Sequence, residues 1–152
     1  MQQQKHWQVY LSGEIHSDWR EQIQAGVEKA GLAVTLTGPV TDHAASDDVG
    51  QVILGDEPNA FWKDKCSAQI NAIRTKTLLA EADVAVIRFG EKYKQWNAAF
   101  DAGFAAANGT PFITLHDEAI IHPLKEVNAA AMASCRNAAQ VVEILTYVIA
   151  AQ

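Results

Sequence analysis

A regular alternation between short apolar stretches and longer amphipathic ones constrains the fold of this chain most. Four stretches are rich in β-branched, aromatic and other apolar residues and end at Gly, Pro or a polar residue, which is typical of strands. Between and after them, apolar residues recur at intervals of three and four, which predicts helices. The predicted strands cover residues 6–13, 32–39, 83–90 and 110–116, and the predicted helices cover 17–31, 59–82, 95–109, 122–132 and 137–151.

Alternation of this kind predicts a parallel sheet with helices on both faces. We therefore expect one doubly wound α/β domain over residues 1–152, of the Rossmann or flavodoxin type, with a parallel sheet of about five strands. Residues 40–57 are polar and acidic and show no clear period. A stretch of this length between two elements indicates either a functional loop or a partly helical segment.

The charge balance and the lack of long apolar runs limit the classes of partner. Twelve Lys and Arg against 18 Asp and Glu give a net charge of −6, which argues against a protein that grips a nucleic acid polymer. A small phosphorylated ligand stays compatible, because a helix N-terminus and a few donors can bind it locally. No run of 18 or more apolar residues occurs, so no membrane partner is expected.

Cysteine usage and the acidic segment bear on compartment and metal binding. Cys66 and Cys135 stand apart in no metal-ligand spacing, and MQQQKHWQVYL lacks the apolar core of an export signal, so we expect reduced thiols in a cytoplasmic protein. The segment TDHAASDD, residues 41–48, could hold a metal but lacks the spacing typical of zinc or calcium sites. A solvated acidic loop is the favoured interpretation, and neither a metal nor another cofactor is predicted.

The loop after the first predicted strand is a candidate ligand site, because ligands of open parallel sheets bind at the carboxyl ends of strands. In SGEIHSD, residues 12–18, Gly13 lets the backbone approach a ligand, and Ser17 with the first helix amides offers donors to an anion. A plain tight turn explains the segment equally well. It is neither a Walker loop nor GxGxxG, so neither a nucleoside triphosphate nor a dinucleotide is indicated.

The loop after the third predicted strand, GEKYKQWN, is a second candidate. A planar base could stack on Tyr93 or Trp96, and Gln95 or Asn97 could supply hydrogen bonds to it. Packing of Trp96 in the core or at a subunit interface is the alternative.

Two histidines, His116 and His122, flank the loop after the fourth predicted strand. Each is expected at the surface or at a helix cap, and neither has a nearby Ser or Cys in a nucleophile motif.

The helix QWNAAFDAGFAAANG carries a carboxylate, Asp101, among Ala and Phe residues. Its neighbours three and four residues away are Asn97, Ala98, Phe104 and Ala105, and three of these four are apolar. Asp101 is therefore expected either at the edge of a buried face or in the wall of a cavity.

Three strings carry a resemblance to a known family: VYLSGEIHSDWREQI, INAIRTKTLLAEADVAVIRFGEKYKQWN and AAFDAGFAAANGTPFI. In this order and at these distances they resemble the YtoQ family of small bacterial proteins, and the likeness runs over nearly the whole chain. The relatives that this resemblance implies are nucleoside 2-deoxyribosyltransferase-like proteins, which include deoxynucleoside monophosphate hydrolases.

The resemblance implies roles for particular residues. YLSGEIHS resembles the loop that binds a sugar or a 5′-phosphate in that superfamily, and DAGFAAANGTP resembles the segment with its carboxylate nucleophile, which places Asp101 at the nucleophile position. The implied reaction is attack of the carboxylate on C1′ of a deoxyribosyl group, which gives a glycosyl-enzyme ester. The deoxyribosyl group is then transferred to another base or to water. The implied catalytic residues are Asp101 and, as a candidate acid, Glu14, and the implied binding residues are Gly13, His16, Ser17, Gly90, Tyr93, Gln95 and Asn97.

Three positions depart from the superfamily pattern. Asp101 stands where a Glu is usual, Gln95 stands where an Asp usually holds or protonates the base, and Thr75 stands where another Asp is common. Because an amide cannot act as a general acid, protonation of the leaving base stays unassigned, with Glu14 as a candidate.

Three functions are compatible with these observations. The first is an enzyme that cleaves or exchanges the N-glycosidic bond of a nucleoside or nucleotide, and the second is a binding or sensing protein that kept the pocket and lost the chemistry. The third is a hydrolase of another glycosyl-like or phosphorylated metabolite. The resemblance also implies a homodimer or larger homo-oligomer with shared pockets, and Trp62, Trp96 and the Ala-rich helices 95–108 and 137–151 supply apolar surface for an interface.

Overall fold

Five strands form one parallel sheet in the computed structural model, which describes residues 4–150. Their order is β2-β1-β3-β4-β5, and every neighbouring pair is parallel. This arrangement confirms the predicted doubly wound α/β fold. The strands are β1 (Trp7–Gly13), β2 (Val34–Thr37), β3 (Val84–Phe89), β4 (Phe112–His116) and β5 (Ala133–Cys135).

Helices cover both faces of this sheet. The side chains of β1 alternate between the two faces, so Val9 and Leu11 pack with α1 and α6, whereas Tyr10 packs with α3 and α4. The helices are α1 (Trp19–Lys29), α2 (His43–Leu54), α3 (Ala60–Glu81), α4 (Trp96–Asn108), α5 (Lys125–Ala130) and α6 (Ala138–Ala150), and a short 3-10 turn covers Glu118–Ile120.

Helix α2 corrects one sequence interpretation. The solvated acidic loop expected at residues 41–48 is wrong, because most of that segment is the first part of α2, and the alternative of a partly helical stretch is confirmed. Asp42 caps the helix by accepting a hydrogen bond from the backbone N–H of Ala45 at 2.8 Å. Gly50 lets α2 lie close to α3, since a Cβ there would be 2.9 Å from Cys66 Sγ, and its N–H donates to Ser67 Oγ.

Strand β5 was not predicted individually, because its three residues are too few to show a period. It pairs with β4 from Ile113 to Leu115 and completes the expected number of strands.

No helix between residues 4 and 150 combines the length and the hydropathy needed to cross a bilayer. The predicted cytoplasmic location stays a prediction.

Candidate active site

The strand order reverses between β1 and β3, and the carboxyl ends of these two strands lie side by side. In such sheets this is the position at which a crevice forms. Gly13 ends β1 with a φ of 107°, and a Cβ there would be only 2.1 Å from the carbonyl oxygen of Arg88 on β3. The next N–H, that of Glu14, donates to the same oxygen at 3.1 Å. A side chain at position 13 would therefore break the turn that opens the crevice.

A cleft of about 1040 Å³ lies over these strand ends. Its walls come from the loops after β1, β2 and β3 and from the helices α2, α3 and α4. The structure brings six of the predicted site residues into its lining: Gly13, His16, Tyr93, Gln95, Asn97 and Asp101. Three others, Glu14, Ser17 and Gly90, do not line the cleft. Within the loop after β1, Ser17 donates a hydrogen bond to Glu14, and Gly90 leaves room for the Glu14 side chain.

Asp101 lies on the cleft-facing side of α4 and is partly buried. Small side chains at Ala98, Ala102 and Ala105 are buried beneath the helix and bring it close to the sheet. Within residues 4–150, the carboxylate has one hydrogen-bond donor, the fully buried Ser12 Oγ, at 2.5 Å from Oδ2. Burial raises the pKa of Asp101, and the Ser12 hydrogen bond opposes that rise.

Tyr10 lies on β1 two residues before Ser12 and therefore on the same face of the sheet. Its side chain is fully buried, and its hydroxyl has no hydrogen-bond partner among the described residues. Burial raises the pKa of Tyr10, and the nearby charge of Asp101 raises it further. The phenol is therefore a neutral, buried hydroxyl, and it is close enough to Asp101 for that negative charge to raise its pKa.

Glu14 has a different environment, although its side chain is also buried. One carboxylate oxygen accepts from the backbone N–H of His16, and the other accepts from Ser17 Oγ at 2.5 Å. Gly90 makes room for the side chain, since a Cβ at that position would be 2.5 Å from Glu14 Cγ. Both oxygens are thus occupied by donors of the loop to which Glu14 belongs. Its predicted role as an acid stays a prediction.

Helices α2 and α3 contribute cleft residues that the sequence analysis did not single out. His43 and Asp47 both line the cleft, one turn apart on α2, with His43 Nε2 3.1 Å from Asp47 Oδ2. Asn71 joins the two helices by donating to the carbonyl oxygen of Ser46 at 2.9 Å. The signal that could have revealed α2 is Asp42 as an N-cap ahead of a helix-compatible segment.

The mouth of the cleft has an aromatic wall. The ring centroid of His16 is 5.0 Å from that of Tyr93 and 6.1 Å from that of His43, and the planes of these ring pairs are inclined at 53° and 54°.

Thr75 and Gln95, which occupy positions where the resemblance expects acids, also line the cleft.

His116 lies elsewhere, and its expected surface position is wrong. It is the last residue of β4 and is fully buried. Its Nδ1 lies 2.7 Å from the carbonyl oxygen of Asp117, and its Nε2 contacts Asn128 at 3.0 Å and Ser134 Oγ at 3.3 Å. Pairing of β4 with β5 brings Ser134 there, which no local sequence motif could indicate. His122 is exposed as expected.

Between residues 4 and 150, no group of three or more His, Cys, Asp or Glu side chains is arranged to hold a metal ion.

Comparison with known proteins gives matches over most of the chain. A family model described as nucleoside 2-deoxyribosyltransferase YtoQ matches residues 10–149. The protein YtoQ of Bacillus subtilis (strain 168), itself uncharacterised, is 44% identical over 139 residues, which is 91% of this chain and 94% of that protein.

Two solved structures share the fold at low sequence identity. A 2-deoxyribosyltransferase from Bacillus psychrosaccharolyticus aligns with a TM-score of 0.57 at 14% identity, covering 89% of this chain and 90% of its own. A conserved protein from Enterococcus faecalis V583 aligns with a TM-score of 0.63 at 12% identity, covering 95% and 99%.

Proposed function

The chain belongs to the nucleoside 2-deoxyribosyltransferase YtoQ family, and on that premise we propose that it cleaves or exchanges an N-glycosidic bond. The proposed substrate is a nucleoside or a nucleoside 5′-monophosphate, and the proposed nucleophile is Asp101. The fold shared with a 2-deoxyribosyltransferase supports this class of substrate.

The environment of Asp101 is the observation that carries the proposal. The carboxylate is in the wall of the cleft at the strand-order reversal, partly desolvated, with one hydroxyl donor among the described residues. A carboxylate with unoccupied lone pairs can approach an electrophilic carbon. Partial burial also strengthens its attraction to the positive charge that develops at C1′.

The proposed reaction has two steps. An oxygen of Asp101 forms a bond to C1′ as the bond from C1′ to the base nitrogen breaks, and the base leaves with that electron pair and takes up a proton. Water or a second base then attacks C1′ and releases the carboxylate. Ser12 holds one carboxylate oxygen in place throughout.

The remaining predicted residues take binding or supporting roles in this proposal. Tyr93 and His16 form a wall against which a planar base can stack, and Gln95 and Asn97 offer amide groups to the base or sugar. Gly13 admits the ligand close to the backbone. The other three, Glu14, Ser17 and Gly90, are proposed to hold the β1 loop in shape.

A binding or sensing protein is the second candidate. Gln95 and Thr75 favour it, because both line the cleft at positions where the resemblance expects carboxylic acids. A protein of this kind would keep the nucleotide affinity of the cleft without any turnover.

Chromatographic detection of free base tests the proposal. The wild type and Asp101→Asn are incubated with deoxynucleosides and their 5′-monophosphates, and binding is followed in parallel by the shift in melting temperature. We expect base release by the wild type and a loss of roughly 10³-fold or more in the variant, as for removal of other nucleophiles. Asp101→Asn should still bind the ligand.

The control is Asp56→Asn, which removes an exposed carboxylate outside the cleft and should leave turnover unchanged. Ligand-induced stabilisation of the wild type without release of any base would contradict the enzymatic proposal and favour the binding protein.

We also propose a homodimer or larger homo-oligomer. The support is a set of large apolar side chains exposed on α2, α3 and α4: Val52, Ile53, Leu54, Phe61, Trp62, Ile73, Trp96 and Phe100. Exposed apolar surface of this extent is typical of interaction sites. Sedimentation equilibrium that returns a monomer at micromolar concentration would contradict this proposal.

A further inference from the structure

We propose that His43, oriented by Asp47, is the general acid that protonates the leaving base. This inference rests on the proposed glycosidic reaction and assigns the one step for which the sequence offered only Glu14. It uses α2, a segment that the sequence left open as a functional loop or a partly helical stretch.

The reaction needs an acid because the departing base carries the electron pair of the broken bond. An unprotonated base anion is a poor leaving group, and a positioned acid contributes roughly 10²–10⁴-fold to such steps. Glu14 is poorly placed for this, since both of its oxygens accept hydrogen bonds from its own loop and it does not line the cleft.

Most ionisable side chains in the cleft lining are unsuited to the role by their chemistry. The lining contains His16, His43, Asp47, Asp64, Lys76, Tyr93, Lys94 and Asp101. Carboxylates are ordinarily ionised at neutral pH and hold no proton to give, whereas ammonium and phenol groups release theirs only in alkaline solution. Imidazole is the side chain that exchanges a proton near neutrality, which leaves His16 and His43.

The contact with Asp47 distinguishes His43 from His16. Asp47 Oδ2 lies 3.1 Å from His43 Nε2, an ion-pair contact between two largely exposed side chains one helical turn apart, and a carboxylate at this position can orient the ring. The second nitrogen, Nδ1, has no partner among the described residues and is the one that we assign to carry the donated proton. A carboxylate beside an imidazole is the pairing by which an acidic side chain orients a catalytic histidine, although here the pair is largely exposed. The ring of His16 has no polar partner among the described residues and packs beside Tyr93.

The proton balance follows from this arrangement. His43 enters the first step as an imidazolium, and its Nδ1 proton passes to the base as the glycosidic bond breaks. The neutral imidazole that remains accepts a proton from the attacking water, or from the incoming base, in the second step. The pair of steps returns His43 to its starting state and consumes no other reagent.

Substrates whose base needs no proton provide the test. The 5′-monophosphates of 2′-deoxyguanosine and 2′-deoxycytidine are compared with their N7-methyl and N3-methyl analogues, because the methylated bases are cationic and leave as neutral molecules. We expect His43→Gln to lower kcat on the unmethylated substrates by about 10²-fold or more and to change turnover of the methylated analogues by less than about threefold. Asp47→Asn should show the same selectivity with a smaller loss.

Two control variants match these changes. His122→Gln removes an exposed histidine outside the cleft, and Asp48→Asn removes the neighbouring carboxylate, which pairs with Lys63 at 3.1 Å and does not line the cleft. Both should retain wild-type rates on all four substrates.

The outcomes separate this inference from the proposed function. An equal loss on methylated and unmethylated substrates, or no loss on either, would overturn the role of His43 while Asp101→Asn still abolished turnover. If the wild type releases base from none of the deoxynucleosides and 5′-monophosphates, these four substrates included, the proposed function fails, and the role of His43 fails with it.

Discussion

Two carboxylates near the end of β1, the buried Glu14 and the partly buried Asp101, have opposite environments. Glu14 is held by a backbone N–H and a hydroxyl, one at each oxygen, and its Cγ fills the space left by Gly90. Asp101 has one hydroxyl donor among the described residues, and its burial raises its pKa. The more deeply buried of the two is thus the one with a donor at each oxygen, so the number of hydrogen-bond partners, and not the depth of burial, indicates which carboxylate is available to a ligand.

One end of a sheet can thus hold both a structural and a reactive acid. A carboxylate whose lone pairs are occupied stabilises the loop that supplies the donors. A carboxylate that is desolvated with few partners is a cost to the folded state and is available to a ligand. Reactive groups are commonly of the second kind, because activity and stability compete at the same residue.

The largest expected effect on stability comes from Glu14→Ala. The variant removes the acceptor of the His16 N–H and of the Ser17 hydroxyl, and a hydrogen bond to a charged group contributes about 1.5–3 kcal/mol. We expect a lower free energy of unfolding in a urea titration. Glu57→Ala, which removes an exposed loop carboxylate, should change it by less than about 0.5 kcal/mol. If the two variants are equally stable, Glu14 is not the structural member of the comparison.

A smaller effect is expected from Gly90→Ala, which acts on Glu14 through packing. The new Cβ would lie 2.5 Å from Glu14 Cγ, and such overpacking typically costs about 1–3 kcal/mol. The matched control is Gly103→Ala on α4, where nothing lies within 4 Å of the new Cβ and a gain of about 0.5–1 kcal/mol is expected from helix propensity. Thermal unfolding of both variants measures the difference. Stabilisation by both would show that Glu14 moves without cost.

The smallest expected effect is the pH dependence of the stability of Asp101→Asn. Because the pKa of Asp101 is raised in the folded state, the folded wild type binds more protons than the unfolded chain between the ordinary and the raised value. Wild-type stability therefore falls, relative to the variant, as the pH rises through that interval. Melting temperatures should be higher for Asp101→Asn at neutral pH and equal for the two proteins in acid.

The matched comparison is Asp56→Asn, whose exposed carboxylate should give no such pH-dependent difference. A variant that is less stable than the wild type at neutral pH would show that the charge of Asp101 stabilises the fold, which would remove the contrast with Glu14.

Sequence patterns predicted much of the fold because four strands and five helices are long enough to show a period. Helix α2 was left open because its polar side chains mask the apolar spacing, and its stability depends on the close approach of Gly50 to Cys66 and Ser67. β5 was missed because three residues carry no period. The position of His116 was wrong because its partners, Asn128 and Ser134, come from later elements.

The sequence by itself determined the doubly wound fold, the family and Asp101 as the carboxylate to examine. These follow from local periodicity and from strings of residues that neighbour one another along the chain. Only the tertiary structure decided that Glu14 has a hydrogen-bond donor at each oxygen whereas Asp101 has one donor among the described residues. It also decided that His43 is the histidine beside a carboxylate in the cleft. The physical reason is that hydrogen-bond saturation and desolvation depend on atoms that distant segments contribute, as Ser12 does for Asp101 across 89 residues.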